Sequence, residues 1–197
     1  MKSIYDFVIK PKDSRSTAKA DIDGKELLLN TELQNHQYVS RHGVVISKPM
    51  MGHSEIQPGN EIIVHHNVFR RFYDVKGKEK NSKSYFAENI YLANPDQIFA
   101  YKTPGEEWKP TEGFCFVKPL KNKEFFAADK EVPLKGVIKH GNNEFPAGIL
   151  VGFQPRSEYE FIIDQERLYR VPIQSITIKY EFQGNEEEYN PSWAQSG

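Results

Sequence analysis

Apolar residues in this chain come in short runs, each closed by Gly, Pro, Asn or Asp. In the first half the runs are "YDFVIKP" (5–11), "HGVVISKP" (42–49), "NEIIVHH" (60–66) and "ENIYLANPDQIFAYK" (88–102). In the second half they are "GFCFVKP" (113–119), "LKGVIKHG" (134–141), "AGILVGF" (147–153) and "ERLYRVPIQSITIKY" (166–180). Amphipathic helical periodicity is scarce. Many short strands with turn signals between them predict an all-β chain, a sandwich or barrel.

The runs also recur in order. "FVIKP" is echoed by "FVKP", "HGVVISK" by "KGVIKHG" with Gly43 on Gly136, and "PGNEIIV" by "PAGILV". "NIYLANPDQIFAYK" is echoed by "RLYRVPIQSITIKY", with Tyr91 on Tyr169 and Ile98 and Ala100 on Ile176 and Ile178. The pattern predicts two copies of one β module, 1–102 and 113–182. "TPGEEWKPTE" (103–112) is the linker between them. "QGNEEEYNPSWAQSG" (183–197) reads as a polar tail, mobile apart from an anchor at Trp193.

The copies differ most between their first and second strands. The first places Lys12 to His42 there; the second has only Leu120 to Lys135. A long insertion inside a compact domain is normally functional or disordered. This one carries Leu27, Leu28 and Leu29 inside "DGKELLLNTE", between polar stretches that give three adjacent leucines no neighbours. Either they belong to a strand or helical turn packed on its own module, or they are bait for a partner.

Composition narrows the class. Hydrophobic content of 38% and charged content of 27% are ordinary for a globular protein. A net charge of -1 implies no strong pull toward nucleic acid or an anionic membrane, so neither is expected as a partner. The single cysteine, Cys115, excludes an intrachain disulfide and fits a reducing compartment. "MKSIYDFVIKPK" lacks a signal peptide's apolar stretch, and no run approaches a bilayer's span. A cytoplasmic location is expected.

Candidate chemistry is thin. His65 and His66 are adjacent, which on a strand sends them to opposite sides, and His36, His42, His53 and His140 show no ligand spacing. Cys115 reads as a small core residue. No nucleophile motif, phosphate loop or dinucleotide fingerprint appears. The expectation is no enzyme, no metal and no cofactor.

With these residues in view, the first half resembles the GroES-type co-chaperonin (chaperonin-10) family. That family opens with a strand ending in a basic segment, matched here by "DFVIKPK". A long mobile loop with an aliphatic tripeptide follows, matched by "DGKELLLNTE". Its next strands are matched by "SRHGVVIS" and "IQPGNEIIVHH", and its closing strand by "NPDQIFAYK". The resemblance covers about 1–102; the second half matches the scaffold and not the loop. It implies two tandem GroES-like β-barrel modules, the first with a mobile loop over about 12–42. Tandem and phage-encoded co-chaperonins are known in the family.

The resemblance also implies a function. The loop would dock Leu27, Leu28 and Leu29 into an apolar groove of a GroEL-type chaperonin, with Gly24 letting the chain turn. Each leucine would contribute on the order of 2 kcal/mol if fully desolvated. Loop ordering weakens each contact, and a ring-like homo-oligomer restores avidity. The chaperonin, not this chain, would hydrolyse ATP. There are departures. "SKPMMGHSEIQPGNE" and "KHGNNEFPAG" leave little room for the family's roof hairpin. "VFRRFYDVKGKEKNSKSYF" (68–86) is longer than the family's hairpin, with a tip that reads as a solvated turn. Phe125 and Phe126 read as a packed turn. GroES-like folds also occur in zinc alcohol dehydrogenases, but that reading needs a nucleotide-binding domain, and "MGHSE" is a weak echo. The alternative is a viral assembly protein reusing the scaffold, with virion capsid proteins as partners; a third is a monomeric two-module binding protein.

Overall fold

The computed structural model describes residues 1–13, 19–22, 25–28, 40–123, 131–192 and 194; for Lys19–Ile22 and Lys25–Leu28 it describes the backbone. The described residues are all-β: they contain strands, turns and short 3-10 turns, and no α-helix. No helix among them is long and apolar enough to cross a membrane. The chain divides into two compact units, Met1–Trp108 and Lys109–Gly197.

The first unit contains β1 (Phe7–Pro11), β2 (Lys19–Ile22), β3 (Lys25–Leu28), β4 (His42–Ser47) and β5 (Glu61–Val64). It continues with β6 (Arg71–Tyr73), β7 (Glu79–Asn81), β8 (Tyr85–Ala87), β9 (Ile90–Ala93) and β10 (Ile98–Lys102). Its main sheet runs β10-β5-β4-β1-β9-β8, with antiparallel pairs throughout. The second unit opens on β11 (Lys109–Pro110) and contains β12 (Phe114–Lys121), β13 (Glu131–His140) and β14 (Leu150–Phe153). It ends with β15 (Tyr159–Ile163), β16 (Glu166–Pro172) and β17 (Ile176–Tyr180). Its sheet runs β15-β16-β12-β13-β14-β17.

Element by element, the two orders are the same path. The register shows it residue by residue. Pro11 pairs with Gly43, and Pro119 with Gly136. Ile9 pairs with Tyr91, and Val117 with Tyr169. Gly43 pairs with Ile62, and Gly136 with Val151. Gly59 and Gly148 both take positive φ, 89° and 90°, and both donate to the strand beside them, at Val45 O and Ile138 O. Each closing strand follows a 3-10 turn, Pro95–Gln97 or Ile173–Ser175. The first is fixed by a capping box between Asn94 and Gln97.

The cores fall on the same ladder positions. Phe7, Ile9, Val45, Ile62, Val64, Tyr91 and Ile98 pack together in the first unit, with Phe69 edge-on to Tyr91 at 4.9 Å. Cys115, Val117, Ile138, Val151, Phe153 and Tyr169 do so in the second, with Ile176 against them. One pair is exchanged in size: Phe7 stands opposite Ala93, and Cys115 opposite Val171. Burial pushes the Cys115 thiol up to about 12, so it serves as a small apolar filler.

Gly43 and Gly136 let neighbouring strands approach. A Cβ on Gly43 would lie 3.0 Å from the Lys10 carbonyl oxygen and 3.2 Å from the Phe69 ring. On Gly136 it would overlap both the Lys118 carbonyl and the Val117 side chain. Gly136→Ala is therefore expected to cost about 2–3 kcal/mol and Gly43→Ala about 1 kcal/mol. Urea titrations of the two variants check the order; equal losses would refute it.

Candidate functional site

The insertion of the first unit leaves β1 at Lys12 and returns at His42. Its ends are pinned: the Lys12 N–H donates to His42 O at 3.0 Å. Lys12 Nζ donates to Glu61 Oε2 at 2.9 Å, and Lys102 Nζ lies 3.5 Å from the same oxygen. The hydrogen bond from Lys12, opposed by burial and aided by the charges of Lys102 and Lys12, holds the Glu61 carboxyl below its ordinary range.

Within the insertion β2 and β3 form a two-stranded sheet of their own. Lys19 pairs with Leu28, Ala20 with Leu27, Asp21 with Glu26 and Ile22 with Lys25. Two of the leucines singled out from sequence thus sit at adjacent positions of β3. In the sequence Asp23 and Gly24 stand between the two strands. Gly24 and Leu29 lie outside the described residues, as do Phe125, Phe126 and the Trp193 expected to anchor the tail. In the second unit the corresponding strands stay paired almost to the connection, Lys121 opposite Glu131.

The second unit carries a polar cluster that the sequence did not announce. Lys118 is 2% exposed and Arg167 8%. The residues read as a mobile tail cover them. The Lys121 N–H donates to Glu187 O at 2.8 Å, and the Tyr189 N–H to Pro119 O at 2.8 Å, so residues 187–189 lie along the end of β12. Asn190 Oδ1 accepts from Lys118 Nζ and from the Arg167 N–H, each at 2.9 Å. Its Nδ2 donates to Gln165 O at 3.1 Å. Ion pairs Lys139–Glu188 and Lys121–Glu187 flank the strap at 2.9 and 3.8 Å. Burial pulls the Lys118 pKa below its ordinary value, against Glu166 and Glu188, which raise it.

Arg167 is satisfied on all sides. Nε donates to Glu160, Nη1 to Glu131, and Nη2 to the Tyr169 hydroxyl, which donates in turn to Glu131. Lys118, Asn190, Arg167, Tyr169 and Glu131 thus spend hydrogen bonds on one another and tie the strap to the sheet. The one signal available was β12 itself. "FCFVKPL" is apolar at successive positions, as a strand covered on both faces must be, and a covering element was therefore owed.

His65 and His66 were expected on opposite sides of a strand. They lie instead just past β5, with ring centroids 4.1 Å apart. The strand ends at Val64, and His65 Nδ1 accepts from the Asn67 N–H in the turn that follows. Among the described residues no three His, Cys, Asp or Glu side chains are grouped as a metal ion would need. No protein-family model matches the chain, and no curated protein matches it.

Proposed function

We propose that the chain is a co-chaperonin of the GroES type: two tandem GroES-like β-barrel modules whose first insertion hooks a GroEL-type chaperonin. The observation that carries this reading is the β2–β3 hairpin. It bears Leu27 and Leu28, belongs to neither main sheet, and occupies a connection that is short in the second unit. Pinning at Lys12 and His42 fixes where the hook leaves the body. A ring of such subunits presents several hooks at once, and linked weak contacts give strong capture.

Capture on an immobilised GroEL-type chaperonin with ATP tests the reading. The intact protein is expected to bind. Leu28→Asp is expected to weaken binding by at least about tenfold per hook, since it removes apolar area and buries a charge. Unchanged thermal unfolding of the variant shows that the body is intact. An intact protein that the chaperonin does not retain would sink the proposal.

A further inference from the structure

A second feature of the first unit stands apart from the sheets, the β6–β7 hairpin. Arg71 pairs with Asn81, Phe72 with Lys80 and Tyr73 with Glu79. Its tip is a built turn. Asp74 Oδ1 accepts from the N–H groups of Lys76 and Lys78 at 2.9 and 3.0 Å. The Gly77 N–H donates to Asp74 O at 2.9 Å, and Gly77 takes φ 72°, which a side chain would resist. Ser82 Oγ donates to Val68 O at 2.6 Å and ties the base. Val68 and Phe69 are fully buried beneath it.

What this scaffold displays is cationic and aromatic. Between Val68 and Phe86 there are six basic residues, Arg70, Arg71, Lys76, Lys78, Lys80 and Lys83, against two carboxylates, Asp74 and Glu79. Two ion pairs on the ribbon are long, Arg71–Glu79 at 3.6 Å and Lys80–Asp74 at 3.9 Å, and solvent-screened. Phe72 is 43% exposed and Tyr73 38%, one on each face of the ribbon. Phe72 shares its face with Lys80, directly opposite. Phe86 is also exposed, on β8.

The geometry points to a binding site for single-stranded nucleic acid on this hairpin. An exposed ring with an ammonium group opposite it, as Phe72 has in Lys80, is what an unpaired strand requires: a base stacks on the ring while lysines neutralise phosphates, and Tyr73, on the other face, stands opposite Glu79 instead. A protein surface is the poorer match, because lysine is depleted in protein interfaces and enriched where phosphate is met. The chain's net charge of -1 argues against a nucleic-acid partner only if charge is spread evenly, and here it is not. The site is independent of the Leu27–Leu28 hairpin and stands whether or not that hook binds a chaperonin.

Fluorescence anisotropy of labelled oligothymidylate at low ionic strength, with the full chain, tests it. The wild type is expected to bind, with affinity falling as salt rises. Lys78→Glu/Lys80→Glu is expected to bind at least about tenfold more weakly, by the loss of phosphate contacts. Lys2→Glu/Lys179→Glu, with the same charge change on exposed sites elsewhere, is expected to bind as the wild type does. Phe72→Ala is expected to lose the preference for single strand over duplex. Circular dichroism of each variant reports an intact fold. Absence of binding by the wild type, equal weakening in both charge variants, or equal affinity for duplex would overturn the proposal. Equal binding of poly-glutamate would overturn it in favour of an acidic polypeptide.

Discussion

Asn190→Leu is expected to destabilise the second unit by about 2–3 kcal/mol and to free the strap that crosses it. Asn190 is the knot of that strap. Its carboxamide oxygen takes two protons' worth of hydrogen bonding, from Lys118 Nζ and the Arg167 N–H, and its amide nitrogen serves the Gln165 carbonyl. Leucine fills a similar volume and supplies none of these. Lys118, nearly inaccessible, would lose its 2.9 Å hydrogen bond and keep the longer pair with Glu166 at 3.7 Å. The Gln165 carbonyl belongs to a turn in which Asp164 and Gln165 both hold positive φ, 48° and 66°, so its support is also lost. Asn190→Asp keeps the acceptor and adds an anion beside Lys118, and is expected to recover part of the loss. Urea titration measures the change. Hydrogen exchange at Lys121 and Tyr189, whose N–H groups bond across the strap, locates it. Unaltered protection at both amides would contradict the account.

Arg167→Met is expected to cost about 2–4 kcal/mol, somewhat less than the roughly 3–5 kcal/mol typical of breaking a fully buried ion pair. Methionine retains an unbranched apolar side chain and removes the guanidinium, which lies over the Tyr169 and Tyr189 rings and joins Glu131, Glu160 and the Tyr169 hydroxyl. The loss is moderated because the Glu131 and Glu160 side chains are 28% and 42% exposed and rehydrate when unpaired. Adding Glu131→Gln and Glu160→Gln to Arg167→Met is expected to return part of the stability, since two orphaned carboxylates no longer repel. Arg167→Lys is expected to fall short of the wild type, because a point charge cannot serve three acceptors set in a planar fan. Denaturation midpoints of the series check this. A triple variant weaker than Arg167→Met alone would assign the effect to packing and not to charge.

Much of the scaffold was legible because turns and close approaches leave marks in the chain. Gly43 and Gly136 fall at matching places in the two runs, and they hold one ladder position because a neighbouring carbonyl crowds the place of a Cβ. Ile98 and Ile176 aligned for a similar reason: each follows a 3-10 turn at a fixed distance from a Tyr. The β15 strand was missed. Its turn into β16 uses Asp164 and Gln165 where Gly is usual, so the hairpin carried no punctuation. The strap was missed because "NEEEYNP" is polar throughout and reads as solvated. Its fit depends on Lys118 and Arg167, which are distant in the chain and brought under it only by the β12–β16 pairing. At the insertion, the three leucines could be picked out by composition, but the β2–β3 register that sets Leu27 opposite Ala20 joins strands of low apolar content, which carry no alternation to read.

The exchanged pair, Phe7 with Ala93 and Cys115 with Val171, has a bearing on how the chain avoids misfolding. Two sheets of one topology on one polypeptide invite crossed pairing, in which the opening strand of one takes its place in the other. Such a swap would set Cys115 against Ala93 and leave a void at the centre of the first core. The reciprocal swap would press Phe7 against Val171 and overfill the second. Each opening strand therefore fits one home and is penalised in the other, so a volume difference of a few carbon atoms sorts two look-alike halves during folding.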